Sequence, residues 1–170
     1  MGSDKALISW NGSPLIVHVR DCLHARFPEV LVSAPRGRYD FLGLAVIEDE
    51  FPGLGPLAGI SAALRFSARP FVFVAACDMP LIVPEMIDAI LRDAEPGRPT
   101  VARDRTRLHP LFGIYPASAA EQIHERLMSG QVRVLECVRD MQSVVVDLSP
   151  WQKQLVNVNT AADFPRGNFR

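Results

Sequence analysis

Two acids sit where a buried strand of an α/β protein would hand its substrate to chemistry. Asp49 follows the run Ala45-Val46-Ile47, and Asp78 follows Phe71-Val72-Phe73-Val74-Ala75-Ala76, the most apolar stretch of the chain. Ligands of open α/β sheets bind outside the carboxyl ends of the strands. A carboxylate there, beside a phosphate substrate, is a natural Mg2+ anchor, because that ion takes one or two carboxylates and fills its octahedron with water and phosphate oxygens. The competing reading of Asp78 is a cap for the turn before Pro80. Lys5 is one of only two lysines in an arginine-rich chain, the other being Lys153, and a point-charge ammonium suits a phosphate. The stretch Gly53-Leu54-Gly55-Pro56-Leu57-Ala58-Gly59 precedes and opens an apolar-periodic helix. Backbone N–H groups and a positive dipole end there could receive an anion or a ring carbonyl. It is not a G-x-x-x-x-G-K-[ST] loop, and the same glycines fit a plain connection. The cysteines Cys22, Cys77 and Cys137 are scattered, with no C-x-x-C pair, and read as reduced, structural thiols. No Ser-His-Asp or Cys-His spacing suggests a covalent nucleophile.

The elements that must position these groups follow from periodicity. Ala6 to Trp10 reads as extended and ends in the turn dipeptide Asn11-Gly12. Ser13-Pro14 then reads as N-cap and first residue of a helix with Leu15, Ile16, Val19, Cys22 and Leu23 inward. Val30 to Val32, Ala45 to Ile47, Phe71 to Ala76, Thr100 to Ala102, Leu111 to Tyr115 and Val144 to Val146 read as strands. Helices are predicted after Pro56 and Pro84, around Ile123 and Leu127, and around Val134 and Val138. A last extended piece is Val156 to Asn159. Strands alternating with helices predict an α/β fold with a mostly parallel central sheet covered on both faces.

Composition sets the outer bounds. The chain has 170 residues, 48% apolar and 22% charged, with formal net charge −1. That is one domain, residues 1–170, large enough to bury a core without disulfides or structural metal. Near-neutral charge argues against a nucleic-acid-binding surface, and the apolar content against disorder. No run reaches the ~18 residues of a membrane span, and no signal-peptide stretch opens the chain, so a cytoplasmic protein without membrane contact is expected.

Eight segments, in order along the whole chain, resemble one family. They are Met1-Gly2-Ser3-Asp4-Lys5-Ala6-Leu7, the N-G-x-P-L of Asn11 to Leu15, Val46-Ile47-Glu48-Asp49, and Gly55-Pro56-Leu57-Ala58-Gly59. Then come Cys77-Asp78-Met79-Pro80, His109-Pro110-Leu111-Phe112, the R-V-L of Arg133 to Leu135, and Val156-Asn157-Val158-Asn159-Thr160. The sequence is similar to the MobA-like nucleotidyltransferases, and within them to the molybdenum cofactor guanylyltransferases, which implies a Rossmann-like three-layer sandwich with a mostly parallel central sheet. The resemblance implies transfer of GMP from GTP to the terminal phosphate of molybdopterin, with Mg2+ as cofactor and pyrophosphate released. It implies that Lys5 contacts the GTP phosphates, Asp78 holds the metal, and Ser33, Asp49, Gly55, Leu57 and Gly59 bind the nucleotide. Asn157, Asn159, Thr160 and Arg133 would sit at the pterin side; an exposed arginine near a helix start is the plain alternative for Arg133. His109 reads as a turn histidine or a pterin contact. The expected partners are GTP, molybdopterin and, transiently, proteins of molybdenum cofactor biosynthesis.

Two departures accompany the resemblance. The family opens with an apolar strand and a loop of the form L-A-G-G-x-S-x-R-M-G, whereas this sequence begins at the final Met-Gly. The expectation is a domain lacking its N-terminal strand and glycine-rich loop, with exposed strand edges and weak or absent activity. Ser33 stands where the family often has Asn. Cytidylyl transfer to the same acceptor, nucleotidyl transfer to a sugar or small phosphate, and a non-catalytic relic binding pterin or a partner remain the alternatives.

Overall fold

The computed structural model describes residues 4–164, so the Met1-Gly2-Ser3 part of the opening motif lies outside the described residues. Lys5–Leu7 is a turn of 3-10 helix rather than the start of an extended run. Asp4 causes this: its side chain accepts the Ala6 N–H at 3.1 Å and caps the turn. Strands β1 (Ser9–Trp10) and β2 (Ser13–Pro14) form a hairpin around Asn11-Gly12. Both turn residues have positive φ, 49° and 81°, as a tight hairpin turn demands. Ser13 is therefore paired with Trp10 and does not cap the helix, which begins one step later as α1 (Leu15–His24) with no side-chain cap. The hairpin's ladder takes the backbone groups that the capping reading needed free.

Strands β3 (Leu31–Ser33) and β4 (Ala45–Ile47) pair in parallel as a two-stranded sheet. After helix α2 (Pro56–Phe66) comes β5 (Phe71–Ala75), then helix α3 (Pro84–Arg92). Strands β6 (Thr100–Arg103) and β7 (Leu108–Pro116) form a second hairpin, followed by helices α4 (Ala120–Met128) and α5 (Val134–Asp140) and by β8 (Val144–Asp147). The order β5-β7-β6-β8 makes a four-stranded sheet. Here β5, β6 and β8 share one direction and β7 runs against both its neighbours. The antiparallel β7 comes from the short hairpin connection, which cannot make the crossover a parallel neighbour needs.

Helices cover both faces of this sheet, as the continuous apolar strands require. Phe73 and Ala75 of β5 face α1 and α3, where Val19, Met86, Ile87 and Ile90 are buried. Val72 and Val74 face α2, α4 and α5, where Leu57, Ile60, Ile123 and Cys137 are buried. Residues i and i+2 of a strand share a face, so one five-residue run serves both cores. The sheets β3-β4 and β5-β7-β6-β8 share no ladder among the described residues. Between β3 and β5 lies a cleft of about 280 Å³ lined by Leu23, Phe27, Leu31, Phe71 and Phe73 among others. Asp49 follows β4, Asp78 follows β5, and the β6–β7 turn follows β6, each at the carboxyl end of its strand.

Candidate active site

The segment 156–159 joins no helix or sheet, and Asn159 lies in a bend. Its middle residue, Val158, is fully buried and donates its N–H to the Asp78 carbonyl at 2.8 Å. Asn157 donates Nδ2 to Asp78 Oδ1 at 2.8 Å. Asn159 Oδ1 accepts Lys5 Nζ at 2.5 Å. One short segment thus holds the candidate metal anchor with one asparagine and the candidate phosphate cation with the next.

Each end of this arrangement is braced. Asp163 Oδ2 accepts the backbone N–H groups of Asn159 and Thr160 at 2.8 and 2.7 Å. Thr160 closes the reciprocal half of that capping box, so its hydroxyl is engaged in fixing the loop end. On the other side Asp4 anchors the turn carrying Lys5. Its Oδ2 accepts Tyr39 Oη and Arg38 Nε, each at 2.9 Å. Burial pushes the Asp4 carboxyl up, but the Tyr39, Arg38 and Ala6 hydrogen bonds outweigh it and hold the group below its ordinary value. The Tyr39 hydroxyl is pushed up to about 12, by burial first and by the Asp4 bond second.

A second grouping forms where β3, β4 and α2 meet. Ser33 donates Oγ to Asp49 Oδ1 at 2.6 Å. Gly59 lies against both: a β-carbon there would come within 2.9 Å of Ser33 Oγ and 3.6 Å of Asp49 Oδ1. Gly55 precedes the helix with φ 80°, a left-handed conformation that glycine adopts without steric cost, and Pro56 supplies the first helical residue. Leu57 is fully buried, so anything it offers a ligand comes from its backbone. Arg133 stands apart, strongly exposed and paired with Glu136 at 3.1 Å. Among the described residues its contacts include neither Asp78 nor the asparagines.

A divalent ion fits the Asp78 side. Asp78 Oδ1 holds Asn157, while Oδ2 has no hydrogen-bond partner among the described residues. No group of three or more His, Cys, Asp or Glu side chains able to cage a metal occurs among them. An ion there would rest on one carboxylate and draw its remaining ligands from phosphate and water, which is the way Mg2+ is held by nucleotide enzymes. Cys77 is exposed, yet the protein around its sulfur, which displaces solvent, and the Asp78 charge push the thiol up to about 11. It is therefore protonated near neutral pH and a poor ligand or nucleophile.

His109 is neither in a turn nor at the asparagine segment. It lies within β7, buried, with Nε2 at 2.9 Å from Asp104 Oδ2. Asp104, which carries no apolar pattern to draw notice, organises the β6–β7 turn. Its Oδ1 accepts Thr106 N–H, Thr106 Oγ1 and Arg107 N–H at 2.7, 2.7 and 2.9 Å. The spacing Asp104-x-Thr106 is the signal that could have found it, because an aspartate two residues before a hydroxyl or N–H builds such turns.

A three-layer α/β sheet with a carboxylate beyond one strand, a lysine tied to the same segment and a glycine-opened helix is an arrangement suited to a nucleotidyltransferase, and the comparisons place the chain in that class. The chain belongs to the MobA-like NTP transferase domain family, whose model matches residues 1–144. It is 31% identical to the "Probable molybdenum cofactor guanylyltransferase" of Carboxydothermus hydrogenoformans over 98% of this chain and 87% of that protein. It is 30% identical to the molybdenum cofactor guanylyltransferase of Pseudomonas paraeruginosa, over 94% and 83%. Among solved structures, molybdopterin-guanine dinucleotide biosynthesis protein A of Archaeoglobus fulgidus superposes with TM-score 0.77 at 24% identity, covering 94% of this chain and 86% of that one. The 2-C-methyl-D-erythritol 4-phosphate cytidylyltransferase of Thermus thermophilus does so with TM-score 0.71 at 16% identity, covering 94% and 90%. At those identities the structural likeness speaks for the fold. Among the described residues no helix is long and apolar enough to cross a membrane.

Proposed function

We propose that this chain transfers GMP from GTP to the terminal phosphate of molybdopterin, with Mg2+ at Asp78 and release of pyrophosphate. The observation that carries this reading is the pair of hydrogen bonds from one segment, Asn157 to Asp78 and Lys5 to Asn159. The names of the relatives support the choice of guanylyl group and acceptor.

Attack of one phosphate on another brings two anions together, so the barrier falls when charge is neutralised and the attacking oxygen is held in line. A bound Mg2+ would supply Lewis-acid neutralisation of the phosphate oxygens. Asp78 would hold it through the oxygen not engaged by Asn157. Lys5 would exchange Asn159 for a phosphate oxygen, a substitution that an exposed ammonium can make without unburying anything. Ser33, Asp49 and the Gly55 to Gly59 stretch would take the nucleoside, with the close Gly59 approach letting base edges meet backbone N–H groups. Asn157 and Asn159 would lie toward the pterin, Thr160 would fix their loop, and Arg133 could reach the acceptor only by leaving Glu136.

The test is turnover of GTP against CTP with molybdopterin and Mg2+, followed by product mass. The expected product is the guanine dinucleotide; a preference for CTP sinks the guanylyl choice. Asp78→Asn is expected to lower metal-dependent transfer by roughly 10²–10³-fold. Asp88→Ala, which loses only an exposed ion pair to Arg26, should leave it near the parent value. Equal activity of the two variants would refute the metal assignment.

A further inference from the structure

Four arginines of the β6–β7 hairpin and its neighbour behave unlike the rest. Every other arginine among the described residues lies at ion-pair distance from a carboxylate. Arg103, Arg105, Arg107 and Arg139 have no such partner among the described residues, and all four line a single cavity of about 490 Å³. Exposed guanidinium groups gathered without ion-pair partners repel one another, and the potential they create is strongest in a concave site.

The two acids at this cavity offset only part of that charge, two carboxylates against four guanidinium groups. Asp104 is buried, with its oxygens occupied by His109, Thr106 and the Arg107 N–H. Asp147 accepts Ser149 Oγ at 2.5 Å and Ser149 N–H at 2.9 Å. Its carboxyl is held below its ordinary value by those Ser149 bonds first, and further by the charges of Arg103 and Arg105. The turn bearing the arginines is itself fixed, because Asp104 donates its N–H to the Arg107 carbonyl at 3.1 Å while its side chain binds back. Alternate residues Arg103, Arg105 and Arg107 are thus presented from a rigid hairpin. Ala75 pairs with Phe112, so Leu108 to Leu111 and the turn beyond them project past the end of β5. The cavity stands on the same carboxyl edge as Asp78 but away from the Ser33–Asp49–Gly59 grouping.

The geometry points to a second anion site, formed by Arg103, Arg105, Arg107 and Arg139, that takes a multiply charged phosphate-class oxyanion. Guanidinium groups bind phosphate oxygens through paired N–H donors, and the volume falls in the range of small-ligand pockets. The site stands or falls independently of the transfer reaction proposed above. Free pyrophosphate and a small phosphate monoester offer the same chemistry and are the two sources to separate.

The experiment is calorimetric titration of the chain with pyrophosphate, and separately with ribose 5-phosphate, in EDTA so that no divalent ion recruits either anion to Asp78. Binding that weakens with added salt is expected. Arg105→Gln with Arg107→Gln, and separately Arg139→Gln, should each weaken it about tenfold or more. Lys5→Ala should leave this binding in place, which separates it from the phosphate contact of the transfer site. Arg107→Lys, which keeps charge without the paired donors, should fall between. All four side chains are exposed, so the variants are expected to fold, and circular dichroism checks that. Tighter binding of pyrophosphate than of the monoester assigns the free diphosphate, and the reverse assigns an ester. Affinity unchanged in the arginine variants overturns the proposal. So does binding of an acidic peptide without binding of either phosphate, which would make the cluster a protein-docking surface.

Discussion

A methyl group added at Gly59 would come between the helix start and the Ser33–Asp49 hydrogen bond. Its β-carbon would meet Ser33 Oγ at 2.9 Å, closer than such contacts tolerate, yet that oxygen ends a side chain free to rotate. Gly59→Ala should therefore turn Ser33 away from Asp49 and not distort the backbone. The lost hydrogen bond costs about 1 kcal/mol, and alanine in a helix interior returns about 0.5–1 kcal/mol. The two nearly cancel, so thermal unfolding is expected to move little. Affinity for GTP, measured by titration, should fall several-fold because Asp49 is no longer positioned. A large loss of stability with affinity intact would show that Gly59 serves packing alone. At this scale the sequence disclosed residue types and order but not partners. Asp78, Lys5 and Asp49 stood out by their positions after strands or in motifs. That Asn157 would hold Asp78 while Asn159 holds Lys5 depends on a contact spanning 79 residues in one case and 154 in the other.

Strands and helices were legible wherever a continuous or periodic apolar pattern decided them. Ala45–Ile47 is a strand as read, and α2 and α3 begin at Pro56 and Pro84 as their prolines indicate. Reading failed where a polar side chain or a turn overrode local pattern, as at Asp4 and Ser13. It also failed along β7, where the strand runs through His109-Pro110. There the pairing shifts between Val101 and Ala102, and Pro110, lacking an N–H, is tolerated at such an irregularity. Gly113 sits at this crowded place, where a β-carbon would lie 2.3 Å from the Thr100 carbonyl oxygen and 2.9 Å from Val101 Cα. Backbone cannot rotate aside, so Gly113→Ala should force β6 from β7 and cost at least about 2 kcal/mol, roughly 4–8 °C in Tm. The same hairpin has an acid limit set by Asp104. Burial raises its carboxyl, but bonds from His109, Thr106 and Arg107 outweigh that and hold it well below the ordinary range. The unfolded chain then takes up the proton first, near pH ~3.9. Stability from this group is fully present above that pH and is lost as pH falls toward the folded value. Urea midpoints from neutral pH downward should drop below about pH 4, and Asp104→Asn should start lower and drop less steeply. Parallel curves for the two proteins would remove Asp104 as a source of the acid sensitivity.

Among the described residues the β3-β4 sheet and the β5-β7-β6-β8 sheet turn open edges toward an apolar cleft between them. Among the described residues β3 pairs only with β4 and β5 only with β7, so each presents a row of backbone donors and acceptors toward that cleft. Its walls carry Leu31 and Val72 from the two strands and Leu23 and Phe27 from the region of α1. Leu31 and Val72 also pack on a shared cluster with Ile47, Ala62 and Ala63, so α2 already ties the two sheets together from one side. A space bounded by two open strand edges and apolar side chains suits one extended apolar strand, which would join both ladders into one sheet. Ordering about five residues costs roughly 5–10 kcal/mol of conformational entropy. Only side chains buried on both faces, at about 1.5–3 kcal/mol each, can exceed that, so composition decides the sign. A chain carrying five or six valine, leucine and isoleucine residues and a glycine-containing loop ahead of Met1 is expected to gain a net of about 2 kcal/mol, roughly 4–8 °C in Tm. The same extension with proline at alternate positions should gain nothing, since it cannot donate to either ladder. Because the cleft adjoins both β3, which carries Ser33, and β5, which leads to Asp78, the strand that raises Tm should also raise GTP affinity. Equal melting temperatures for the apolar and proline-bearing extensions would show that the cleft is a solvent groove and that the two sheets stand without a strand between them.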